Sequence, residues 1–173
     1  MKWLRRLPAA LLLAAVLPAH ADEVGQSGEA QARCLMSASK AYDVPSGVLL
    51  ILLQVEGGSL GRVSRNTNAT VDIGPMQVNS TWVPKVAQHW RSDPASTLDA
   101  LRDSFCANIE AGTWVLRQSL DEAHGNLWEG VGLYHSHDAG YKADYLRKVL
   151  MAALRLQAHA AQTGTSNVQV ARN

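Results

Sequence analysis

Glu56 is the residue of this chain best placed to do chemistry. It closes an almost uninterrupted apolar run, Val48-Leu49-Leu50-Ile51-Leu52-Leu53-Gln54-Val55-Glu56, and is followed by Gly57-Gly58. The run predicts a helix over residues 45–56 that is apolar all round and therefore buried. Asp43 or Ser46 can cap its start, with Pro45 in the first turn. The glycines stop it, because glycine takes the positive φ of a helix C-cap. Such a helix delivers one carboxyl group at its C-terminal end. Apolar surroundings and the negative end of the helix dipole both disfavour the charged form and raise the pKa. A carboxyl that keeps its proton near neutral pH can serve as a general acid, as on a glycosidic oxygen. The competing reading is an exposed Glu in a last helical turn.

Three further blocks carry polar groups: Asp72-Ile73-Gly74-Pro75-Met76-Gln77-Val78-Asn79, then Cys106-Ala107-Asn108-Ile109-Glu110-Ala111-Gly112, then Gly132-Leu133-Tyr134-His135-Ser136. A two-carboxylate glycosidase needs a partner for Glu56. Asp72 is the only acid between Glu56 and Asp93. Beside an Ile-Gly-Pro turn it reads as a cap for backbone N–H groups. Gln77 and Asn79 are amides, which both donate to and accept from sugar hydroxyl and N-acetyl groups. Either can instead cap the helix that follows, and for Asn79 the two roles stand level. Asn66 and Asn68 lie in the preceding loop and can line the same cleft. His135 and His137 with Asp138 form only a His-x-His spacing, and no further His or Cys cluster completes a tetrahedral set, so no metal and no cofactor are expected. Trp90, Trp114 and Trp128 read as core residues; Trp82, nearest the Met76–Asn79 block, is the candidate sugar platform.

These groups need helices to hold them. Asp22 to Ala30 reads as loose. Ala30 to Tyr42 reads as a helix with Cys34, Leu35, Ala38 and Tyr42 turned inward. Residues 57–74 read as loops, with Thr70-Val71-Asp72-Ile73 the only strand-like segment. Asn79 or Ser80 can cap a helix through Thr81-Trp82-Val83 that tolerates Pro84. Ser92-Asp93-Pro94 reads as a turn, followed by a short helix from Ser96 or Thr97 and a long one from Asp103 or Ser104 to about Ala123. Leu127 to Tyr134 and Ala139 to about Ala161 are the last helices. The fold class is mainly α, one domain with a minimal β element over residues 22–162, followed by a disordered tail over residues 163–173.

The first 21 residues read as an export signal. Met1 to Arg6 is basic, Leu7 to Pro18 is apolar, and Ala19-His20-Ala21 is a small-x-small cleavage site. A periplasmic or secreted protein without a membrane anchor is expected. Cleavage removes Lys2, Arg5 and Arg6 but no acid, leaving 13 basic residues against 15 acidic. That balance argues against nucleic-acid binding, which calls for a basic patch. Cys34 and Cys106 are the only cysteines. In an oxidising compartment an even pair reads as one disulfide; two buried free thiols are the alternative.

In this order, the blocks resemble the lysozyme-like soluble lytic transglycosylases, above all the small members associated with type IV secretion and conjugation. The resemblance covers roughly residues 30 to 150. It implies a lysozyme-like fold and Glu56 as catalytic acid and base. It implies substrate contacts through Met76, Gln77, Asn79 and Tyr134, with the Tyr134 phenol approaching the Glu56 carboxyl, and a Cys34–Cys106 bridge. It further implies that peptidoglycan glycan strands are cut at the bond between N-acetylmuramic acid and N-acetylglucosamine. The muramoyl 6-hydroxyl is then the nucleophile, which removes the need for a second protein carboxylate. Components of a secretion apparatus are the implied partners. Gly57 replaces a serine common in the family, with Ser59 the nearest hydroxyl to take its place, and Pro75 replaces a leucine. A muramidase that uses water, and a non-catalytic peptidoglycan-binding scaffold, are the alternatives.

Overall fold

The structure is a computed structural model that describes the backbone of residues 20–170 and the side-chain surroundings of residues 27–162. The expected export signal lies outside the described residues as far as position 19.

The acid-bearing helix, α2 (Ser46–Glu56), ends where expected. Gly57 adopts φ 61° and its N–H bonds to the Leu53 carbonyl. Its start differs: Pro45 is the N-cap and no side chain caps the helix, because Asp43 is itself in the left-handed region at φ 51°. Leu49 and Leu52 are fully buried, but Leu50 is half-exposed. Burial all round is therefore not what α2 achieves. One face borders a hollow shared with Leu35, Leu53, Leu60 and Pro75.

Helix α1 (His20–Tyr42) begins ten residues before the expected Ala30. Gly25 and Gly28 suggested a loop, yet each costs a helix only about 1 kcal/mol and no proline intervenes. Three short antiparallel strands follow α2: β1 (Val63–Arg65), β2 (Val71–Ile73) and β3 (Val78–Asn79), with β2 central. Only β2 was legible in the sequence; strands of two or three residues are too short to show a period. Asn79 caps a 3₁₀ turn (Ser80–Trp82) by accepting from the Thr81 N–H at 3.0 Å, and the chain runs on into α3 (Val83–Trp90). Asp93 caps α4 (Pro94–Asp103) through the Ala95 and Ser96 N–H groups, so a helix starts where a turn was read. Ser104 caps α5 (Phe105–Glu122) and Asn126 caps α6 (Leu127–His135). The last helix, α7 (Ala139–Val170), passes the expected end at Ala161. The tail expected to be disordered from Thr163 thus has a helical backbone to Val170; no proline follows Pro94 to stop it.

The core joins these helices to the sheet. Leu49 and Leu52 of α2, Ile73, Met76, Val86, Leu101, Ile109 and Leu116 have no accessible surface. Each such side chain contributes about 1.5–3 kcal/mol on burial. Cys34 of α1 is disulfide-bonded to Cys106 of α5, tying together two helices that flank α2 in sequence. Cys106→Ala should lower Tm by roughly 5–15 °C, since losing a native disulfide costs about 2–5 kcal/mol. Thermal melts with and without reductant check this: reductant should bring the wild-type chain down to the variant and leave the variant unmoved.

Candidate active site

Glu56 opens onto a cleft of about 720 Å³. Its carboxyl is mostly buried, and its pKa is pushed up to about 7 from an ordinary 4.5. Burial is the main cause. The negative charge of Asp72 adds to it, while a hydrogen bond from Tyr145 and the positive charge of Lys148 pull the other way. The net result is a carboxyl that keeps its proton to higher pH than an ordinary one.

Tyr145 of α7 holds this group. It is 2% exposed and its hydroxyl donates to Glu56 Oε1 at 2.5 Å. Its ring is stacked on His135, with centroids 4.3 Å apart and planes 4° from parallel. Burial lowers the His135 pKa, Lys148 adds to the effect and Asp72 opposes it. The phenol thus has one direction in which to point. Tyr145 is a positioning residue. Its neighbours in the sequence do not mark it out from the rest of α7. The available signal was that a buried tyrosine hydroxyl needs a polar partner.

The resemblance gave that role to Tyr134, and here the geometry differs. Tyr134 lines the cleft, but its hydroxyl donates to the Met76 carbonyl at 2.9 Å rather than to Glu56. Met76 itself is corrected too. It is fully buried, and a Cβ added at Gly112 would lie 2.8 Å from the Met76 Cβ. Its side chain fills the core beneath the cleft and cannot touch a substrate. Its N–H is taken by Asn108 Oδ1 at 2.7 Å.

Gln77 and Asn79 do line the cleft. Gln77 sits at φ 49° and donates from Nε2 to the Gly74 carbonyl at 2.7 Å. This turn presses on the end of α2: a Cβ at Gly58 would come within 2.1 Å of the Gly74 oxygen and 2.6 Å of Gln77 Nε2, so only glycine fits there. Ser59 lines the apolar hollow rather than the cleft, so it does not replace the hydroxyl lost at Gly57.

The β-sheet fixes Asp72. Register pairs it with Asn79 across β2 and β3, which places their side chains on one face. Asn79 Nδ2 donates to Asp72 Oδ1 at 2.8 Å and Asn66 Nδ2 to Oδ2 at 2.9 Å. Both amides also reach the Thr70 hydroxyl, which donates to Asn68 Oδ1 at 2.7 Å. Asp72 therefore accepts from side-chain amides, not from the backbone N–H groups expected of a turn cap. Asn66, Asn68 and Asp72 all line the cleft with Glu56. So does Trp82, as its position suggested. Among the described residues no three His, Cys, Asp or Glu side chains converge as a metal site; His137 pairs with Glu122 at 2.9 Å.

Tyr145→Phe tests the clamp. Removing the donor takes away a bond that favours the charged carboxylate, so the Glu56 pKa should rise further. The alkaline limb of kcat/KM should move to higher pH, and kcat should fall about 10- to 100-fold from lost orientation. An unmoved limb would refute the assignment of the hydrogen bond.

The sequence matches the model of the Transglycosylase SLT domain over residues 33–145. It is also similar to the invasion protein IagB of Salmonella typhimurium (strains SL1344 and LT2) and of Salmonella typhi. Each is 24% identical over 149 residues, covering 83% of this chain and 89% of theirs. The matched span begins just before Cys34 and ends on Tyr145, enclosing Glu56, the sheet and the cleft. The chain belongs to the transglycosylase SLT family, whose members are lytic transglycosylases, lyases that act on peptidoglycan.

Proposed function

We propose that this chain cuts the β-1,4 bond between N-acetylmuramic acid and N-acetylglucosamine in peptidoglycan and leaves a 1,6-anhydromuramoyl end. The observation that carries the reading is the state of Glu56: one carboxyl with a pKa near 7, oriented by Tyr145 in an open polar cleft. Protonated Glu56 gives its proton to the glycosidic oxygen as the bond to C1 breaks. The resulting carboxylate then takes the proton of the muramoyl 6-hydroxyl as its oxygen bonds to C1. The acid is restored and no water is consumed. Attack from within the same sugar gains the effective concentration of an intramolecular step.

A second reading has its own support. Asp72 shares the cleft with its two oxygens fixed by Asn66 and Asn79, and a fixed second carboxylate is what a water-using muramidase employs. Mass spectrometry of digested sacculi separates the two. The transglycosylase should release muropeptides one water lighter than those a muramidase gives; reducing-end muropeptides would establish the muramidase instead.

The site of action in this proposal is the periplasm, reached through the signal over residues 1–21, and the purpose is local opening of the wall for an envelope-spanning apparatus. The supports are the resemblance to small secretion-associated members and the similarity to a protein named for invasion. No helix among the described residues is long and apolar enough to cross a membrane.

A further inference from the structure

Arg65 stands on the boundary between two cavities. It lines the catalytic cleft. It also lines a neighbouring hollow of about 540 Å³, together with Val63, Asn66, Ala69, Thr70 and Val71. Arg65, Asn66 and Thr70 belong to both and form the wall that the two spaces share. The sheet explains the division. Successive residues of a strand point to opposite faces, so Asp72 turns to the cleft and Val71 away from it. Arg65 is paired with Val71 in the register of β1 and β2. It therefore leaves its strand on the far face, beside Val63, and its long side chain reaches the cleft as well.

Among the described residues that line the cleft, Arg65 is the only lysine or arginine. It is exposed. Arg33, Arg102, Arg117 and Arg147 each have an acidic partner, but among the described residues Arg65 has no carboxylate within ion-pair distance. Asp72 does not serve, since its two oxygens accept from the Asn79 and Asn66 amides. The rest of the hollow is uncharged, with small apolar side chains at Val63, Ala69 and Val71. A guanidinium grips a carboxylate through two parallel N–H donors. The hollow therefore suits a ligand with a carboxylate on a chain of small apolar groups. The N-acetyl sugars of a glycan strand carry no charge. In peptidoglycan the carboxylates belong to the alanine-rich peptide that hangs from each muramoyl lactyl group, or to the lactyl group itself once that peptide is removed.

We propose that this hollow receives the peptide stem of a muramoyl residue bound in the cleft, with Arg65 pairing to a stem carboxylate. The glycan lies in the cleft and its branch crosses the shared wall. The chain thereby prefers peptide-bearing strands to bare ones. This rests on the proposed cleavage of peptidoglycan strands, and the experiment separates the two.

The full chain is assayed on uncross-linked strands that keep their peptides, and on the same strands stripped of peptide by an amidase. Wild type should show the lower KM on peptide-bearing strands, and the difference should shrink as salt is raised. Arg65→Gln should raise KM on peptide-bearing strands about 2- to 5-fold more than on stripped ones, the worth of one exposed ion pair. Val63 is exposed and lines the hollow but not the cleft. Val63→Asp puts a negative charge there, and should raise KM on peptide-bearing strands by a similar factor with stripped strands unchanged. Equal effects on the two substrates, or none, would overturn the proposal. An Arg65→Gln defect confined to stripped strands would assign the arginine to the lactyl carboxylate instead. A selective Arg65→Gln defect beside a silent Val63→Asp would remove the peptide from the hollow. If wild type cleaves neither substrate, the cleavage reading fails. Calorimetric affinities for the two strands then make the same comparison: tighter binding of peptide-bearing strands, weakened by both variants, supports the stem pocket, and equal affinities or no binding refute it.

Discussion

Glu56→Gln should abolish turnover and, above neutral pH, make the protein more stable than wild type. The loss of activity follows from the chemistry: the amide has the shape of the acid but no proton to give, so the rate should fall by at least about 10²- to 10⁴-fold. The gain in stability follows from linkage. The folded-state pKa of Glu56 is about 7 and its ordinary value 4.5. Below pH 4.5 both folded and unfolded chains carry the proton and folding is not penalised. As pH rises from 4.5 through 7, the unfolded chain ionises first and the folded state loses stability. Above that window the cost is complete, on the order of 3 kcal/mol. Gln at position 56 does not titrate, and its oxygen can still accept from Tyr145. Denaturant melts should therefore find the variant ahead of wild type at pH 8 and level with it near pH 4. A variant that tracks wild type at both would refute the buried acid. Asp72→Asn makes the useful contrast. If the substrate's own hydroxyl attacks, that change should cost far less activity than Glu56→Gln; losses of similar size would favour the water-using reading.

Asn108→Ala is expected to be the most damaging change away from the acid. Asn108 is fully buried. Its Oδ1 accepts from the Met76 N–H at 2.7 Å, and its Nδ2 donates to the carbonyls of Ile73 and Leu101 at 2.9 Å each. One side chain on α5 thus satisfies three backbone groups in the segments that carry the cleft floor. Alanine would remove all three bonds from a buried site, at about 1–3 kcal/mol each. A loss of roughly 3–9 kcal/mol is a large share of the 5–15 kcal/mol that holds a typical domain together. Chemical denaturation should show the midpoint falling steeply. A change below about 1 kcal/mol would mean that water enters to replace the amide.

The legible parts of this molecule were those set by local rules. The stop at Gly57, the cap at Asn79 and the apolar run of α2 each follow from a few adjacent residues, and the structure has all three. Glu56 could be singled out for the same reason. What could not be read were pairings over long sequence distance. Asn108 read as one residue of a helical block, because nothing near it reveals that its partners lie at positions 73, 76 and 101. Tyr134 and Tyr145 are both tyrosines near apolar helices; only the docking of α7 decides which reaches Glu56. Met76 suffered the opposite error. Its neighbours Gln77 and Asn79 line the cleft, but the turn at Gly74–Gln77 sends the Met76 side chain into the core.

The hydrogen bond between Tyr145 and Glu56 joins residues 89 positions apart, and α7 packs directly on α2. In time rather than space, the acid is prepared early and armed late. A chain made or exported N-terminus first releases Glu56 well before Tyr145. Until α7 docks, Glu56 lacks the Tyr145 hydroxyl that holds it in one orientation. A chain cut short before α7 would therefore carry the acid without the group that orients it.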